Sequence, residues 1–313
     1  MSLERPTIRE ALLAREGGGD PQRREAIEDN FFRRLRLPGG VTKRTRRGRL
    51  ADLDALVAEH LPRGRRLELM DVAVSSGVTT LDWAAGLRRA GLDFHLVAGD
   101  ATPAAWLLSL GHRVEVLVDG AGRPLQYDLF GRAVPSAAPG PLAVLPWIGR
   151  ALTRLALAWD GELRRSLAKG REVRGRRPLR SQRVALVVPE LLADPAIELV
   201  EDDLLAPSAD RFAGRFDAVR AANLLNRGYF DDEALRRMLA RLAARLEPQG
   251  LLAVCRTEED GTNHATVFRR GEEGLMPLAR LGRGSEVEEL AFHLNPEVMT
   301  PSGSVGGRID AWR

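Results

Sequence analysis

Short apolar runs and helical patterns alternate along the middle of the chain. The run Leu67–Val72 is too short for a full helix and predicts a strand that is buried on both faces. From Val78 onward, apolar residues recur at helical spacing, so a helix is predicted directly after this strand. The same alternation continues through apolar runs at Phe94–Ala98, Ile197–Val200, Phe216–Asn223 and Leu251–Cys255 and a long helix at Glu233–Leu246. The pattern predicts an α/β fold with a doubly wound sheet.

A turn of small residues joins the first strand to its helix. Ala73, Ser75, Ser76 and Gly77 remove side-chain bulk there, so the backbone can approach a ligand closely. The turn has neither the Gly-x-x-x-x-Gly-Lys-Ser/Thr pattern of triphosphate sites nor the Gly-x-Gly-x-x-Gly spacing of dinucleotide sites. Small residues alone slightly favour an ordinary tight turn. It is the succession of later strands that favours a ligand-binding loop.

The segment Asp71-Val-Ala-Val-Ser-Ser-Gly77 resembles the Asp/Glu-x-Gly-x-Gly-x-Gly loop of class I S-adenosylmethionine-dependent methyltransferases, with Ala73 and Ser75 in place of two glycines. Downstream, Asn223-Leu-Leu-Asn-Arg-Gly-Tyr-Phe230 is similar to the corresponding segment of the chemotaxis-receptor methyltransferase branch. A long helix, the turn Pro248-Gln-Gly250 and another apolar strand then follow in the order typical of the family. The resemblance extends over about residues 65–285, apart from an inserted stretch.

This resemblance implies a Rossmann-like sheet of strand order 3-2-1-4-5-7-6 that binds S-adenosylmethionine at the carboxyl ends of its strands. Asp100, at the end of the second strand, would accept hydrogen bonds from both ribose hydroxyls, although a lone aspartate there is more often a helix cap. Asp203, or its neighbour Asp202, would accept a hydrogen bond from the adenine amino group. The implied cofactor residues are Asp71, Ala73, Ser75, Gly77, Asp100, Ala101, Asp202, Asp203, Leu204 and Asn223.

The acceptor side of the cleft is assigned to Asn226, Tyr229 and His264. His264 follows the fifth strand in a loop that would open toward the cofactor's sulfur, where it could orient a nucleophile or accept its proton. No catalytic residue is assigned, because methyl transfer from a sulfonium depends largely on alignment. The expected acceptor is a small molecule, a lipid-like molecule or a protein. Nucleic acid is disfavoured, because Asn223-Leu-Leu-Asn226 replaces the Asn/Asp-Pro-Pro-aromatic turn of enzymes that methylate the exocyclic amines of adenine or cytosine.

The cysteine and histidine content disfavours two other chemistries. Cys255 lies near the end of a buried-looking strand and is expected to be a core thiol rather than a nucleophile. The histidines show no metal-ligand spacing, so no metal site is expected. A single cysteine excludes an internal disulfide, which fits a reducing compartment. Because the N-terminus carries no apolar core of signal-peptide length, a cytoplasmic location is expected.

Changes in composition predict the domain organisation. Within a long insertion, Val114–Val118 and Leu125–Phe130 are predicted to form a hairpin. Charged residues and glycine clusters indicate helices and loose loops before the first strand. The predicted parts are a helical N-terminal extension over 1–65, a methyltransferase domain over 66–285 with an insertion at 105–183, and a C-terminal tail over 286–313.

The second half of the insertion has an apolar stripe at helical spacing, which consists of Leu145, Ile148, Leu152, Leu155 and Trp159. We expect Pro141–Arg183 to form a helical cover over the acceptor side of the cofactor. Core packing, or peripheral contact of residues 141–183 with an anionic membrane surface, are the alternatives. Arg150, Arg154 and Pro146 make this stretch a poor transmembrane span.

The charge balance gives little information about function. The chain of 313 residues has 47 Lys+Arg against 43 Asp+Glu, which gives a formal net charge of +4. A basic run at Val41–Arg49 is typical of a solvated surface, and a flap over an anionic substrate is its functional alternative. A second hypothesis for the whole chain is a methyltransferase-like module that has lost turnover and binds a membrane surface or a protein partner. Cofactor binding distinguishes the two hypotheses.

Overall fold

The computed structural model describes residues 6–16, 20–35, 45–109, 114–135, 149, 151, 153–154, 180–206 and 211–294. The chain divides into two compact units, the first made of Met1–Thr45 with Thr102–Pro189 and the second of Arg46–Ala101 with Glu190–Arg313. This division differs from the predicted one. Residues 46–65 belong to the second unit instead of an N-terminal extension, and the strands of the insertion form a unit with the first helices of the chain.

The second unit is built around a seven-stranded sheet. Its strands are β1 (Leu67–Val72), β2 (Phe94–Asp100), β8 (Ile197–Glu201), β9 (Phe216–Ala222), β10 (Leu246–Thr257), β11 (Asn263–Arg270) and β12 (Leu275–Leu281). Its helices are α3 (Ala51–His60), α4 (Val78–Arg89), α5 (Pro189–Ala193), α6 (Asp232–Arg245) and α7 (Glu288–Phe292). The strand order is β12-β11-β10-β9-β1-β2-β8. The five strands from β8 to β10 in this order are parallel. β11 pairs antiparallel with β10, and β12 pairs antiparallel with β11.

The order at one edge of this sheet corrects the prediction. Numbered along the chain, the seven strands run 3-2-1-4-5-6-7 and not 3-2-1-4-5-7-6. The cause is local, because the short connection between Thr257 and Asn263 folds β11 directly back onto β10, so no other strand lies between them. The turn after Arg270 then adds β12 on the outer side of β11.

Helices cover both faces of the seven-stranded sheet. On one face, Leu67, Leu69 and Leu96 pack with apolar residues of α3 and α4. On the other face, Met70 and Val97 pack with α6 and α7. Parallel strands covered on both faces need apolar side chains on both, which is why these segments appear in the sequence as short, mainly apolar runs. The parallel strands end together at one edge of the sheet, called here the carboxyl edge.

The first unit contains an antiparallel sheet of order β6-β5-β4-β3-β7. Its elements are α1 (Ile8–Glu16), α2 (Pro21–Arg34), β3 (Ala104–Ser109), β4 (Val114–Val118), β5 (Pro124–Leu129), β6 (Arg132–Pro135) and β7 (Arg180–Ala185). The backbone N–H of Ile8 donates to Oδ2 of Asp128 on β5 at 2.6 Å, which ties α1 to the sheet. The predicted hairpin of the insertion is confirmed, because β4 and β5 pair as antiparallel neighbours.

The apolar stripe of the insertion and the cover predicted for Pro141–Arg183 lie almost entirely outside the described residues. No helix within the described part of the chain has the length and apolar character needed to cross a membrane.

Candidate functional site

The loop between β1 and α4 holds an unusual backbone conformation. The φ angles of Ala73, Ser75 and Gly77 are 56°, 61° and 84°, which places all three in the left-handed region. This region costs an L-residue with a Cβ about 1–2 kcal/mol. The positions are those at which the resemblance expects glycine. The loop therefore keeps the glycine-type backbone although Ala73 and Ser75 carry side chains.

Gly77 is favoured by its φ angle of 84°, and a neighbouring side chain also lies close to it. A Cβ at this position would lie 3.0 Å from Cδ2 of Leu191, which is closer than side chains normally approach. Leu191 lies on α5 and is itself buried. Gly77 also serves as the N-cap of α4, without a side-chain cap. The close approach found here is therefore between the loop and α5.

Asp100 lies next to this loop, at the carboxyl end of β2. Its Oδ2 accepts a hydrogen bond from the backbone N–H of Ser75 at 2.9 Å. Its carbonyl oxygen accepts one from the backbone N–H of Asp202 at 2.9 Å. The carboxylate is buried and fixed against the loop, and Ala101 follows it at the surface. The structure thus brings together Ser75 and Asp100, which the sequence assigned to one site.

Asp71 lies beneath the loop in a buried ion pair. It stands beside Arg220 of β9 in the register of the sheet. Its carboxylate accepts hydrogen bonds from Arg220 Nε at 3.0 Å and Nη2 at 2.6 Å, and from the hydroxyl of Thr80 at 2.7 Å. Both oxygens are engaged, so Asp71 supports the loop from below.

A second carboxylate, Asp54 of α3, also pairs with Arg220. Burial disfavours the charged guanidinium, but Asp71 and Asp54 outweigh it and raise the pKa of Arg220. A single cation cannot compensate two buried carboxylates fully, and burial raises the pKa of Asp54 to about 6 despite Arg220. The ring of Trp83 stacks on Arg220, with the guanidinium carbon 4.5 Å from the ring centroid. This network was missed, although an arginine within a buried strand signals a buried partner.

The two aspartates predicted at the adenine position have different hydrogen-bond partners. Asp202 accepts hydrogen bonds from Nη1 and Nη2 of Arg245, both at 2.7 Å, and Arg245 is buried on α6. Asp203 is exposed, and its Oδ1 accepts from the backbone N–H of Leu205 at 2.9 Å in a turn. Leu204, which lies between Asp203 and Leu205 in the sequence, is buried. Of the two carboxylates, Asp203 is the one that faces solvent.

The side chains of the two asparagines after β9 accept hydrogen bonds from the backbone. Asn223 has a φ of 57°, and its Oδ1 accepts from the backbone N–H of Thr257 at 2.8 Å. This bond joins the carboxyl ends of β9 and β10. Oδ1 of Asn226 accepts from the backbone N–H of Gly228 at 2.7 Å, which forms a turn. Tyr229 next to that turn is 64% exposed.

His264 is engaged through both ring nitrogens. Its Nδ1 accepts from the backbone N–H of Arg283 at 2.9 Å, and its Nε2 lies 3.4 Å from Oε1 of Glu258. The structure therefore gives His264 a role in joining two loops. Burial raises the pKa of the Cys255 thiol to about 12, so this residue is a core thiol, as predicted, and a poor nucleophile. No cluster of metal-ligating side chains occurs in the described ranges.

A nucleoside cofactor fits the loop on two grounds. Asp100 offers a fixed carboxylate beside a left-handed loop, which suits vicinal hydroxyl groups. The hydroxyl of Ser76 is buried in the loop and has no hydrogen-bond partner among the described residues. A buried polar atom without a partner is costly unless a ligand or water satisfies it.

No family model matches the chain, and no curated protein matches it. Similar solved structures include the CMeT domain of the citrinin polyketide synthase, at 12% identity and a TM-score of 0.34, over 80% of this chain and 42% of the other. Another is 1,6-didemethyltoxoflavin-N1-methyltransferase from Burkholderia thailandensis with bound S-adenosylhomocysteine, at 16% identity and a TM-score of 0.32, over 78% of this chain and 65% of the other. A third is a protein from Pyrococcus horikoshii OT3, at 12% identity and a TM-score of 0.33, over 78% of each chain.

The chain spans less than two thirds of the length of the first two structures. At these identities and TM-scores, the similarities do not establish a shared family or a shared activity.

Proposed function

We propose that this protein is an S-adenosylmethionine-dependent methyltransferase. One observation carries the proposal: Ala73, Ser75 and Gly77 hold a left-handed backbone between β1 and α4, with the carboxylate of Asp100 bonded to that loop. A backbone that costs energy at two non-glycine positions persists where the surrounding structure enforces it, and such positions cluster at ligand sites.

Different residues of the described part of the chain would contact different parts of the cofactor. Asp100 would accept hydrogen bonds from the ribose hydroxyls, and the loop from Ala73 to Gly77 would border the amino-acid part. Ala101, Asp203 and Leu204 would border the adenine, with Asp203 as the hydrogen-bond acceptor. Asp71, Asp202 and Asn223 are not included as direct ligands, because their side chains make the structural bonds described above.

S-adenosylmethionine supplies an electrophilic methyl group on a sulfonium. The protein's task is then to align an acceptor with that group, which requires orientation more than proton transfer. Asn226 and Tyr229 are the proposed acceptor contacts, since both follow the carboxyl end of β9. His264 is left out, because its ring joins two loops. The acceptor is proposed as a small molecule, a lipid-like molecule or a protein, with no preference for the chemotaxis-receptor branch.

Calorimetric titration of S-adenosylmethionine into the protein and into Asp100→Ala tests the proposal. Losing the hydrogen bonds to a hydroxyl pair should cost about 1–3 kcal/mol, or roughly 5- to 150-fold in affinity. Asp93→Ala is the matched control, because Asp93 is exposed just before the other end of β2. Equal affinities of the two folded variants would remove Asp100 from the site.

The methyltransferase-like module without turnover is the second candidate. The observation in its favour is that side chains at Ala73 and Ser75 occupy two positions where the resemblance expects none. Under this alternative the native protein shows no heat of binding with S-adenosylmethionine. Measurable binding together with methyl transfer to a fraction of cell extract would exclude it.

A further inference from the structure

The segment before α3 reaches from α4 to the start of β11 at the carboxyl edge. The backbone N–H of Gly48 donates to Oδ2 of Asp82 on α4 at 2.7 Å. The carbonyl oxygen of Arg49 accepts from Nδ2 of Asn263 on β11 at 2.7 Å. Asn263 pairs with Thr257, the last residue of β10, which places it at this edge. The backbone on either side of the Arg49 side chain is therefore fixed.

Arg49 is a half-buried cation. Its Nε is buried and makes no hydrogen bond, and no carboxylate among the described residues forms an ion pair with its guanidinium. Guanidinium stays protonated in proteins, so it cannot avoid this cost by losing its proton. A buried charge that is neither paired nor fully hydrogen-bonded is unfavourable. An anion supplied from outside would remove the penalty.

Neighbouring cations add to the cost of leaving the Arg49 guanidinium unpaired. Burial and, next, the charge of Arg220 hold the pKa of Arg49 below its ordinary value, and Arg46 adds to the repulsion. Asp71 is near, but both of its oxygens already accept hydrogen bonds from Arg220. Nη2 of Arg46 lies 3.7 Å from the position that a Cβ on Gly261 would take, so Arg46 borders the same edge. Arg220 and Arg46 therefore both place positive charge near the Arg49 guanidinium.

We propose that Arg49, assisted by Arg46, binds a carboxylate group at the carboxyl edge. A planar carboxylate accepts two parallel N–H groups from a guanidinium, which matches the unused donors of Arg49. The source of the carboxylate rests on the proposed function: it is either the methionine part of S-adenosylmethionine or an acidic methyl acceptor. The site itself can be tested without either molecule.

Malonate is the first probe, with Arg49→Met as the test variant and Arg66→Met as the matched control. Arg66 is exposed just before β1, away from the carboxyl edge. At constant ionic strength, malonate should raise the melting temperature of the native protein and of R66M by roughly 2 °C or more, and leave that of R49M unchanged. An equal rise in R49M would overturn the proposal.

Stability without any ligand provides an independent readout. R49M should have a urea midpoint equal to or above that of the native protein, because no ion pair is lost and an unpaired cation is removed. A large fall in the midpoint would make Arg49 a structural residue and would overturn the proposal.

Calorimetry with S-adenosylhomocysteine and with decarboxylated S-adenosylmethionine identifies the source. If the cofactor supplies the carboxylate, R49M binds S-adenosylhomocysteine roughly 10- to 150-fold more weakly and binds the decarboxylated compound as the native protein does. If the acceptor supplies it, R49M binds both compounds normally while malonate still distinguishes R49M. Equal weakening of both compounds would overturn the proposal. Failure of the native protein to bind either compound would contradict the proposed function and leave the malonate result standing.

Discussion

The strained loop makes a prediction with an unusual sign, because replacing Ala73 by glycine should stabilise the protein. The change removes a left-handed alanine, which relieves about 1–2 kcal/mol. Glycine also loses more backbone entropy on folding, which costs roughly 0.5–1 kcal/mol. The φ of 56° at Ala73 makes the first effect the larger one. The net expectation is a free energy of unfolding about 0.5–1 kcal/mol higher in A73G.

Ala85→Gly is the matched control for this prediction. Ala85 is exposed within α4, where glycine costs about 1 kcal/mol relative to alanine. The two variants carry the same chemical change and should move the urea midpoint in opposite directions, with the slope of the transition unchanged. Tryptophan fluorescence is a suitable signal, because Trp83 is buried on α4. If A73G lost as much stability as A85G, the left-handed loop would be refuted.

Three further predictions concern the buried groups beneath the loop. Arg220→Met should lower the free energy of unfolding by about 3–5 kcal/mol, because Asp71 and Asp54 lose their cation. Arg215→Met removes a partly exposed ion pair and should change the free energy of unfolding by less than about 1 kcal/mol. Urea titration measures both changes. Asp54 has a folded-state pKa raised to about 6, above its unfolded value of roughly 3.9, so its contribution to stability is fully present below pH 4 and is lost as the pH rises through 6. Unfolding free energies measured from pH 4 to 7 should therefore fall in the native protein relative to Asp54→Asn, by at most about 3 kcal/mol, and parallel curves would contradict this. Cys255 should resist iodoacetamide at pH 8 until the protein unfolds, because the thiol is buried and its pKa is about 12. Mass spectrometry detects the alkylation, and rapid alkylation of the folded protein would contradict the core position of Cys255.

The sequence predicted the parallel part of the sheet well, for a physical reason. Strands such as β1 and β9 are covered by helices on both faces, so most of their residues are apolar and they stand out from the amphipathic helices between them. The order of β11 and β12 was predicted wrongly. That order came from the family resemblance alone, whereas the short connection before Asn263 makes β10 and β11 a hairpin.

The site was predicted less completely, because its contacts join residues far apart in the chain. Asp100 and Ser75 could be placed together, since both lie at the carboxyl ends of neighbouring strands. The pairing of Asp71 with Arg220 depends on the register of β1 and β9, which no local pattern specifies. Asp202 and Asp203 are equivalent acidic residues in the sequence, and only the position of Arg245 on α6 separates their roles.

A crystal structure of the protein grown with S-adenosylhomocysteine would show whether the loop between β1 and α4 binds the cofactor. We expect the adenosyl group at the loop from Ala73 to Gly77, with both ribose hydroxyls within hydrogen-bonding distance, about 2.6–3.2 Å, of the Asp100 carboxylate. The three positive φ angles of the loop should be retained. Ligand density away from this loop, or a crystal saturated with S-adenosylhomocysteine in which Asp100 contacts no ribose hydroxyl, would contradict the proposed cofactor site.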